Sequence, residues 1–199
     1  MKILVAILAG GEGSRIGGNK PLRFLAGETL LDHAIAQARQ WSDLVVVAVR
    51  DLSQAGEAAL RCIFDEPGID GPLAGLAAAL REAEALGLEV VLTIPADMPF
   101  LPADLGERLA AELGEERAAI AGSGGHLHPV CGLWRVAALT GLANYLASSR
   151  RSLKGFAETV GFREVEWPTA QPDRFFNINS NDDLAAAERL LTLKSRETY

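Results

Sequence analysis

Apolar residues follow one another along this chain in two alternating patterns. Ile3–Leu8, Leu44–Val49 and Val90–Ile94 are short unbroken apolar runs rich in β-branched residues. Strands buried on both faces have that composition, and parallel sheets are built from such strands. Between the runs, apolar residues recur at helical spacing. Leu30, Leu31, Ala34, Ile35 and Ala38 form one stripe, with Asp32, Gln37 and Arg39 opposite it. Leu73–Leu86, rich in Ala and Leu, predicts a second helix. Ala103–Leu113 predicts a third, with Pro102 and Asp104 near its start. Arg61–Phe64 and Ala118–Ala121 are short candidate strands.

The second half is more mixed. Pro129–Val136 reads as a strand, Ala137–Ala147 and Ser152–Thr159 as helices, and Arg163–Trp167 as a half-exposed strand with period two. Asp182–Lys194 predicts a C-terminal helix capped by Ser180 or Asn181, with Ser195–Tyr199 frayed. Gly10–Leu22, Gly122–His128 and Thr169–Arg174 are left as loops. Strand–helix alternation at this spacing predicts a single α/β domain, a Rossmann-like three-layer fold with a mostly parallel sheet.

Composition narrows the partners. The chain has 199 residues, 49% of them apolar and 23% charged, and a net charge of −7. That length suits one domain with a full core. The acidic balance argues against general nucleic-acid binding, which needs clustered Lys and Arg. No apolar run reaches the ~18 residues of a membrane helix. Ile3–Ala9 meets Gly10 and Gly11, then Glu12 and Arg15, so it reads as a buried strand and not as a signal peptide. Cys62 and Cys131 have no metal-ligand spacing, and a reducing cytoplasmic location is expected.

The candidate chemistry starts after the first strand. Leu8–Leu22 carries five glycines together with Arg15 and Lys20. Glycines let the chain turn tightly and present successive N–H groups to an anion, and the two cations supply charge, which together suit a polyphosphate. A P-loop needs Gly-Lys-Ser/Thr, but Lys20 stands between Asn19 and Pro21. The dinucleotide fingerprint fails at Ile16, where its third glycine belongs, which disfavours a dehydrogenase. Asp97 follows the Val90–Ile94 strand, at the end where open α/β sheets bind ligands. One Asp suffices to hold Mg²⁺ when nucleotide phosphates complete the octahedron. Pro95 and Pro99 stiffen the loop around it. A turn Asp before the Ala103–Leu113 helix is the structural alternative.

Several other positions have two readings. Asp65 ends the Arg61–Phe64 strand, with Glu66 as an equally simple alternative. Gly71-Pro72-Leu73-Ala74-Gly75 is either a tight helix start or a place of close ligand approach. His126 and His128 lack a third metal ligand, so a substrate-lining loop is favoured. Asn177 and Asn179 alternate with Phe176 and Ile178, which puts both amides on one side of a strand, facing a polar substrate or a sheet edge. Arg150, Arg151 and Lys154 form a basic cluster that is either a phosphate patch or a solvated helix start.

Leu8-Ala9-Gly10-Gly11-Glu12-Gly13-Ser14-Arg15-Ile16-Gly17-Gly18-Asn19-Lys20 resembles the L-A-G-G-x-x-S-R-x-G-x-x-K signature of nucleotidyltransferases, and most of all that of the molybdenum cofactor guanylyltransferase (MobA) family. Asp70–Gly75 is similar to the family's G-P-L-A-G turn, and Pro95–Phe100 to its P-x-D-x-P metal motif. His128-Pro129 and Asn177-Ile178-Asn179 stand where it carries H-P and N-x-N. Five weak motifs in the right order make a specific signal.

The resemblance implies a nucleotidyltransferase fold in which residues 1–125 bind nucleotide and residues 126–194 bind the acceptor. It implies transfer of GMP from GTP to the molybdenum-bearing pterin, with release of pyrophosphate. Arg15, Lys20 and Asp97 would be catalytic, with Mg²⁺ (or Mn²⁺) on Asp97. Leu8, Ala9, Gly10, Gly11, Lys20, Asp65, Gly71, Pro72, Leu73 and Asp97 would bind nucleotide. His128, Pro129, Asn177 and Asn179 would face the acceptor. It implies transient contact with molybdenum-insertion or acceptor enzymes, and no nucleic-acid or membrane partner. Guanine would meet the free backbone of Ala9 and Gly10. Family members often carry an Asn at a place that here is Val47, which leaves Arg50 or Asp51 as substitutes. A cytidylyltransferase for the same pterin, a sugar-phosphate nucleotidyltransferase and a non-catalytic nucleotide-binding module are the alternatives.

Overall fold

Leu4–Ile7 is buried throughout, as its unbroken apolar run requires. In the computed structural model, which describes residues 2–10, 19–56, 60–170 and 172–197, this segment lies inside the central sheet. The strands are β1 (Ile3–Leu8), β2 (Phe24–Leu25), β3 (Glu28–Thr29), β4 (Val45–Val49), β5 (Arg61–Phe64), β6 (Val90–Pro95), β7 (Ala118–Ser123), β8 (His126–Arg135) and β9 (Phe162–Trp167). The helices are α1 (Leu30–Trp41), α2 (Pro72–Ala85), α3 (Leu105–Glu112), α4 (Leu139–Ala147), α5 (Leu153–Val160) and α6 (Asn181–Glu197).

Seven strands form one sheet in the order β5-β4-β1-β6-β8-β7-β9, and β2 and β3 form a separate hairpin. Within the sheet only β8 runs antiparallel to its neighbours. Period two then divides the core. Val5, Ile7, Val45, Val47 and Leu92 pack on one face against α1 and α3. Leu4, Ala6, Val46, Ala48 and Val91 pack on the other against α2, α4 and α5. This is the three-layer α/β arrangement that the apolar pattern predicts.

Local chemistry fixes the element starts. Thr29 and Asp32 form a reciprocal capping box on α1, with both bonds at 3.0 Å. Gly71 (φ 68°) turns the chain into α2, and Pro72 occupies its first turn. Ser180 Oγ accepts from the Asp183 N–H at 3.1 Å at the start of α6. Across the sheet, the buried Trp134 indole donates to Thr93 Oγ1 at 3.1 Å, and that hydroxyl donates to the Gly132 carbonyl at 3.2 Å, which ties β6 to β8.

Four expectations change. β8 begins at His126, not Pro129, because Gly124 and Gly125 (φ 56° and 77°) close a tight hairpin with β7. The two histidines therefore lie on a strand and not on a loop. Asn177–Asn179 is irregular and pairs with no strand of the described residues. A short 3-10 turn, Val136–Ala138, precedes α4. The helical backbone of α6 runs past Lys194 to Glu197, so the predicted fraying does not begin at Ser195. Among the described residues, no helix is long and apolar enough to cross a membrane.

Candidate active site

Four parallel strands, β5, β4, β1 and β6, bring their carboxyl ends to one edge of the sheet, and a cavity of about 240 Å³ opens there. The end of β1 contributes Leu8, Ala9 and Gly10. Arg50 follows β4, Asp65 follows β5, and Pro95, Ala96 and Asp97 close β6. The first turn of α2 adds Gly71, Pro72 and Gly75, and Lys20, Pro21, Val130 and Asn177 complete the wall. An open sheet forms such a crevice because the loops that leave neighbouring strands diverge to opposite faces.

Asp65 reaches the cavity through a narrow slot between two glycines, Gly10 and Gly75. A Cβ on Gly10 would lie 2.5 Å from its Oδ2, and one on Gly75 would lie 3.2 Å from its Oδ1. Burial in this slot raises the Asp65 pKa above the ordinary carboxylate value, and the positive charge of Arg50 partly offsets the shift. Glu66, the sequence alternative, is paired instead with Arg81 at 3.0 Å and does not line the cavity.

Lys20 is the meeting point of three distant segments. Its ammonium forms an ion pair with Asp97 Oδ2 and donates to Asn179 Oδ1 at 2.8 Å and to Asn177 Oδ1 at 3.3 Å. Pro21 stiffens the 3-10 turn that carries it. The Ile178 N–H donates to the Asp97 carbonyl at 3.0 Å, which docks the asparagine segment on the β6 loop. The other carboxylate oxygen, Asp97 Oδ1, is buried and has no hydrogen-bond partner among the described residues. A buried, ionisable oxygen without a donor is costly unless a cation reaches it. The donor set therefore fits a hard divalent ion that takes one protein carboxylate and completes its shell from phosphates and water. The described residues contain no cluster of three His, Cys, Asp or Glu side chains. Cys131 lies beneath; burial and the charge of Asp97 push its thiol far above its usual pKa, so it is no nucleophile.

A second group lies along β8. The His128 ring stacks on Phe175 at 4.4 Å, and its Nε2 lies 2.9 Å from Ser123 Oγ. Burial lowers the His128 pKa, opposed in part by the nearby Asp173. Phe175 meets Trp167 edge-on at 5.8 Å.

The cavity thus gathers Leu8, Ala9, Gly10, Lys20, Asp65, Gly71, Pro72, Asp97 and Asn177 from the expected set. Asn179 reaches it through Lys20. His128 and Pro129 do not line it, although the next residue, Val130, does. Leu73 turns into the core and is fully buried, because one step along α2 rotates a side chain by about 100°; Gly75 faces the cavity in its place. Gly11 and Arg15 lie outside the described residues. The Ala9 amide is not free for a base, since it donates to the Ala48 carbonyl at 2.9 Å. Val47 is wholly buried in β4, and of its two expected substitutes Arg50 lines the cavity, whereas Asp51 accepts from the Ser53 N–H. Arg150 and Arg151 serve locally, Arg150 with Glu158 at 3.4 Å and Arg151 on the Leu146 carbonyl at 2.9 Å. Sequence reasoning missed Val130, which only strand pairing brings to the site. It also missed Asp183, whose carboxylate holds the Asn179 N–H at 2.9 Å and whose spacing from Ser180 is that of a capping box.

Comparison with known proteins finds relatives along nearly the whole chain. Residues 5–160 match the family model of the MobA-like NTP transferase domain. A molybdenum cofactor guanylyltransferase of Bradyrhizobium sp. (strain ORS 278) is 40% identical, over 96% of this chain and 94% of the relative. One of Acidiphilium cryptum is 41% identical, over 92% of each. The crystal structure of molybdopterin-guanine dinucleotide biosynthesis protein A from Archaeoglobus fulgidus superposes with a TM-score of 0.74 at 27% identity, covering 96% of this chain and 99% of that one. The chain belongs to the MobA-like NTP transferase family.

Proposed function

We propose that the chain transfers GMP from GTP to molybdopterin-bound molybdenum, giving molybdopterin guanine dinucleotide and pyrophosphate. The observation that carries this reading is the Lys20–Asp97 pair, with its open Oδ1, at the mouth of a cavity on the carboxyl edge of the sheet. Relatives named molybdenum cofactor guanylyltransferase, about 40% identical over nearly the whole chain, supply the substrates.

A phosphate oxygen of the acceptor attacks the α-phosphorus in line. One P–O bond forms as the bond to the β-phosphate bridging oxygen breaks, and its electron pair leaves with pyrophosphate. The attacking phosphate is already ionised at neutral pH, so no side chain has to remove a proton. The protein's task is to position the reactants and to neutralise their charge. Lys20 holds an ammonium at the phosphates. Asp97 would hold Mg²⁺ (or Mn²⁺), which supplies Lewis-acid neutralisation of the phosphate oxygens. Asp65, held between Gly10 and Gly75, would contact the nucleotide. Arg15 is assigned to the phosphates by the signature alone.

In this reading residues 1–125 carry most of the nucleotide contacts and residues 126–194 the acceptor side. His128 and Pro129 on β8 would face the pterin. The chain would make transient contact in the cytoplasm with molybdenum-insertion enzymes, which supply the metal-loaded pterin, or with the acceptor enzymes that take up the product. Thermal unfolding with each nucleoside triphosphate and Mg²⁺ tests the nucleotide assignment. GTP at a hundred times its Kd should stabilise the fold by about 2.7 kcal/mol. A response to CTP with none to GTP would overturn it.

A further inference from the structure

We propose that Asn177 and Asn179 are positioning residues for the Lys20 ammonium and do not serve as contacts to the acceptor. The proposal rests on the nucleotidyl-transfer reading and assigns these asparagines a task inside it.

An ammonium has three N–H donors. In this structure all three have acceptors: Asp97 Oδ2, Asn179 Oδ1 at 2.8 Å and Asn177 Oδ1 at 3.3 Å. The acceptors differ in one respect. The carboxylate cancels the charge of Lys20, whereas a neutral amide oxygen holds the ammonium and leaves its charge available. When phosphates arrive, the two amides keep the head group in place while its charge is turned to the phosphates. A free lysine side chain carries considerable rotamer entropy, and fixing it beforehand removes that cost from nucleotide binding.

The asparagine segment is itself anchored on both sides. The Ile178 N–H donates to the Asp97 carbonyl at 3.0 Å, and the Ile178 side chain is buried among Leu25, Leu30 and Phe100. The Asn179 N–H donates to Asp183 Oδ2 at 2.9 Å, and the Asp183 N–H donates to Ser180 Oγ at 3.1 Å. The Asn179 N–H, with hydrogen bonding from Ser180, holds the Asp183 carboxyl below its usual pKa, and the charge of Lys20 adds to the effect. The start of α6 is thus a clamp that acts on Lys20 through Asn179.

The test is calorimetric titration of the full chain with GTP and Mg²⁺, with no acceptor present. Asn179→Ala should weaken binding about tenfold or more, the loss of a hydrogen bond to a charged group. Asn179→Asp keeps the shape and the acceptor oxygen but adds a charge that cancels Lys20, and should weaken binding at least as much. A purely structural role would tolerate that isostere, so it carries the test even if the alanine variant fails to fold. In a Lys20→Met background, Asn179→Ala should have no further effect. An unchanged GTP affinity with a raised acceptor KM would overturn the proposal, as would additivity with Lys20→Met. A wild-type chain that binds no nucleoside triphosphate overturns the underlying reading; firm wild-type binding that both Asn179 variants leave intact overturns this proposal alone.

Discussion

Gly10 and Asp65 meet across the cavity so closely that a Cβ on Gly10 would stand 2.5 Å from Oδ2 of the carboxylate. The glycine-rich segment after β1 therefore does more than turn the chain, because it leaves room for an acidic side chain from β5. Gly10→Ala should push Asp65 from its slot, at a cost of about 1–3 kcal/mol, the usual range for overpacking. Paired measurements of GTP affinity and Tm check it. Unchanged values for both would mean that Asp65 has free space to retreat.

Asp65 also makes stability depend on pH. Its pKa is raised by burial, so the fold favours the neutral acid. The favourable contribution is present below the unperturbed value of 3.8 and is lost as pH rises through the raised value. At neutral pH the ionised group is a burden. Asp65→Asn should therefore raise Tm at pH 7, with the gain shrinking as pH falls toward 3.8. Unfolding curves across that range check the sign, while GTP affinity should fall.

The Thr93 hydroxyl is the only acceptor recorded for the Trp134 indole N–H among the described residues, and both side chains are fully buried. Thr93→Val preserves shape but leaves that N–H unpaired. The expected loss is about 1–3 kcal/mol of stability, with nucleotide affinity unchanged. Chemical denaturation with a parallel GTP titration separates the two effects.

Asp97→Asn removes the charge from the carboxylate whose Oδ1 has no donor among the described residues. The chain should stay folded, lose binding of Mn²⁺ in the presence of GTP, and lose turnover by about 10²-fold or more. Electron paramagnetic resonance of Mn²⁺ reads the binding directly. Full metal binding by the variant would move the metal site elsewhere.

How far the sequence reveals this site depends on the range of the interactions. β1, β4 and β6 are readable because strands buried on both faces must be apolar throughout, and the ends of the first and last of these point to Leu8–Gly10 and Asp97. The position of Lys20 follows from its loop. Its partners do not, because Asn177 and Asn179 lie 157 and 159 residues away and no local period encodes a contact of that range. The apparent alternation of Asn177 and Asn179 suggests a strand, but the amides share a direction because both serve one ammonium. Leu73 reads as a site residue in its motif, yet helical rotation buries it. His126 and His128 read as loop because Pro129 follows; a Gly124-Gly125 turn and a bulged pairing between β7 and β8 carry the strand through them instead.

The most direct test is pyrophosphate release with GTP, CTP and ATP in turn, using metal-loaded molybdopterin as acceptor. Guanine offers an N1–H and an N2 amino group beside its O6 acceptor, and adenine and cytosine each invert part of that pattern. A site shaped to guanine leaves polar groups unpaired with either rival, at roughly 1–3 kcal/mol each. Two such mismatches give a preference of about 10² or more for GTP. Val47 is buried and its side chain has no hydrogen-bonding group, so it contributes nothing to that preference. Turnover with GTP that exceeds CTP and ATP by that margin is the expected result. Equal or faster turnover with CTP would contradict the guanylyltransferase reading while leaving the nucleotidyltransferase fold in place.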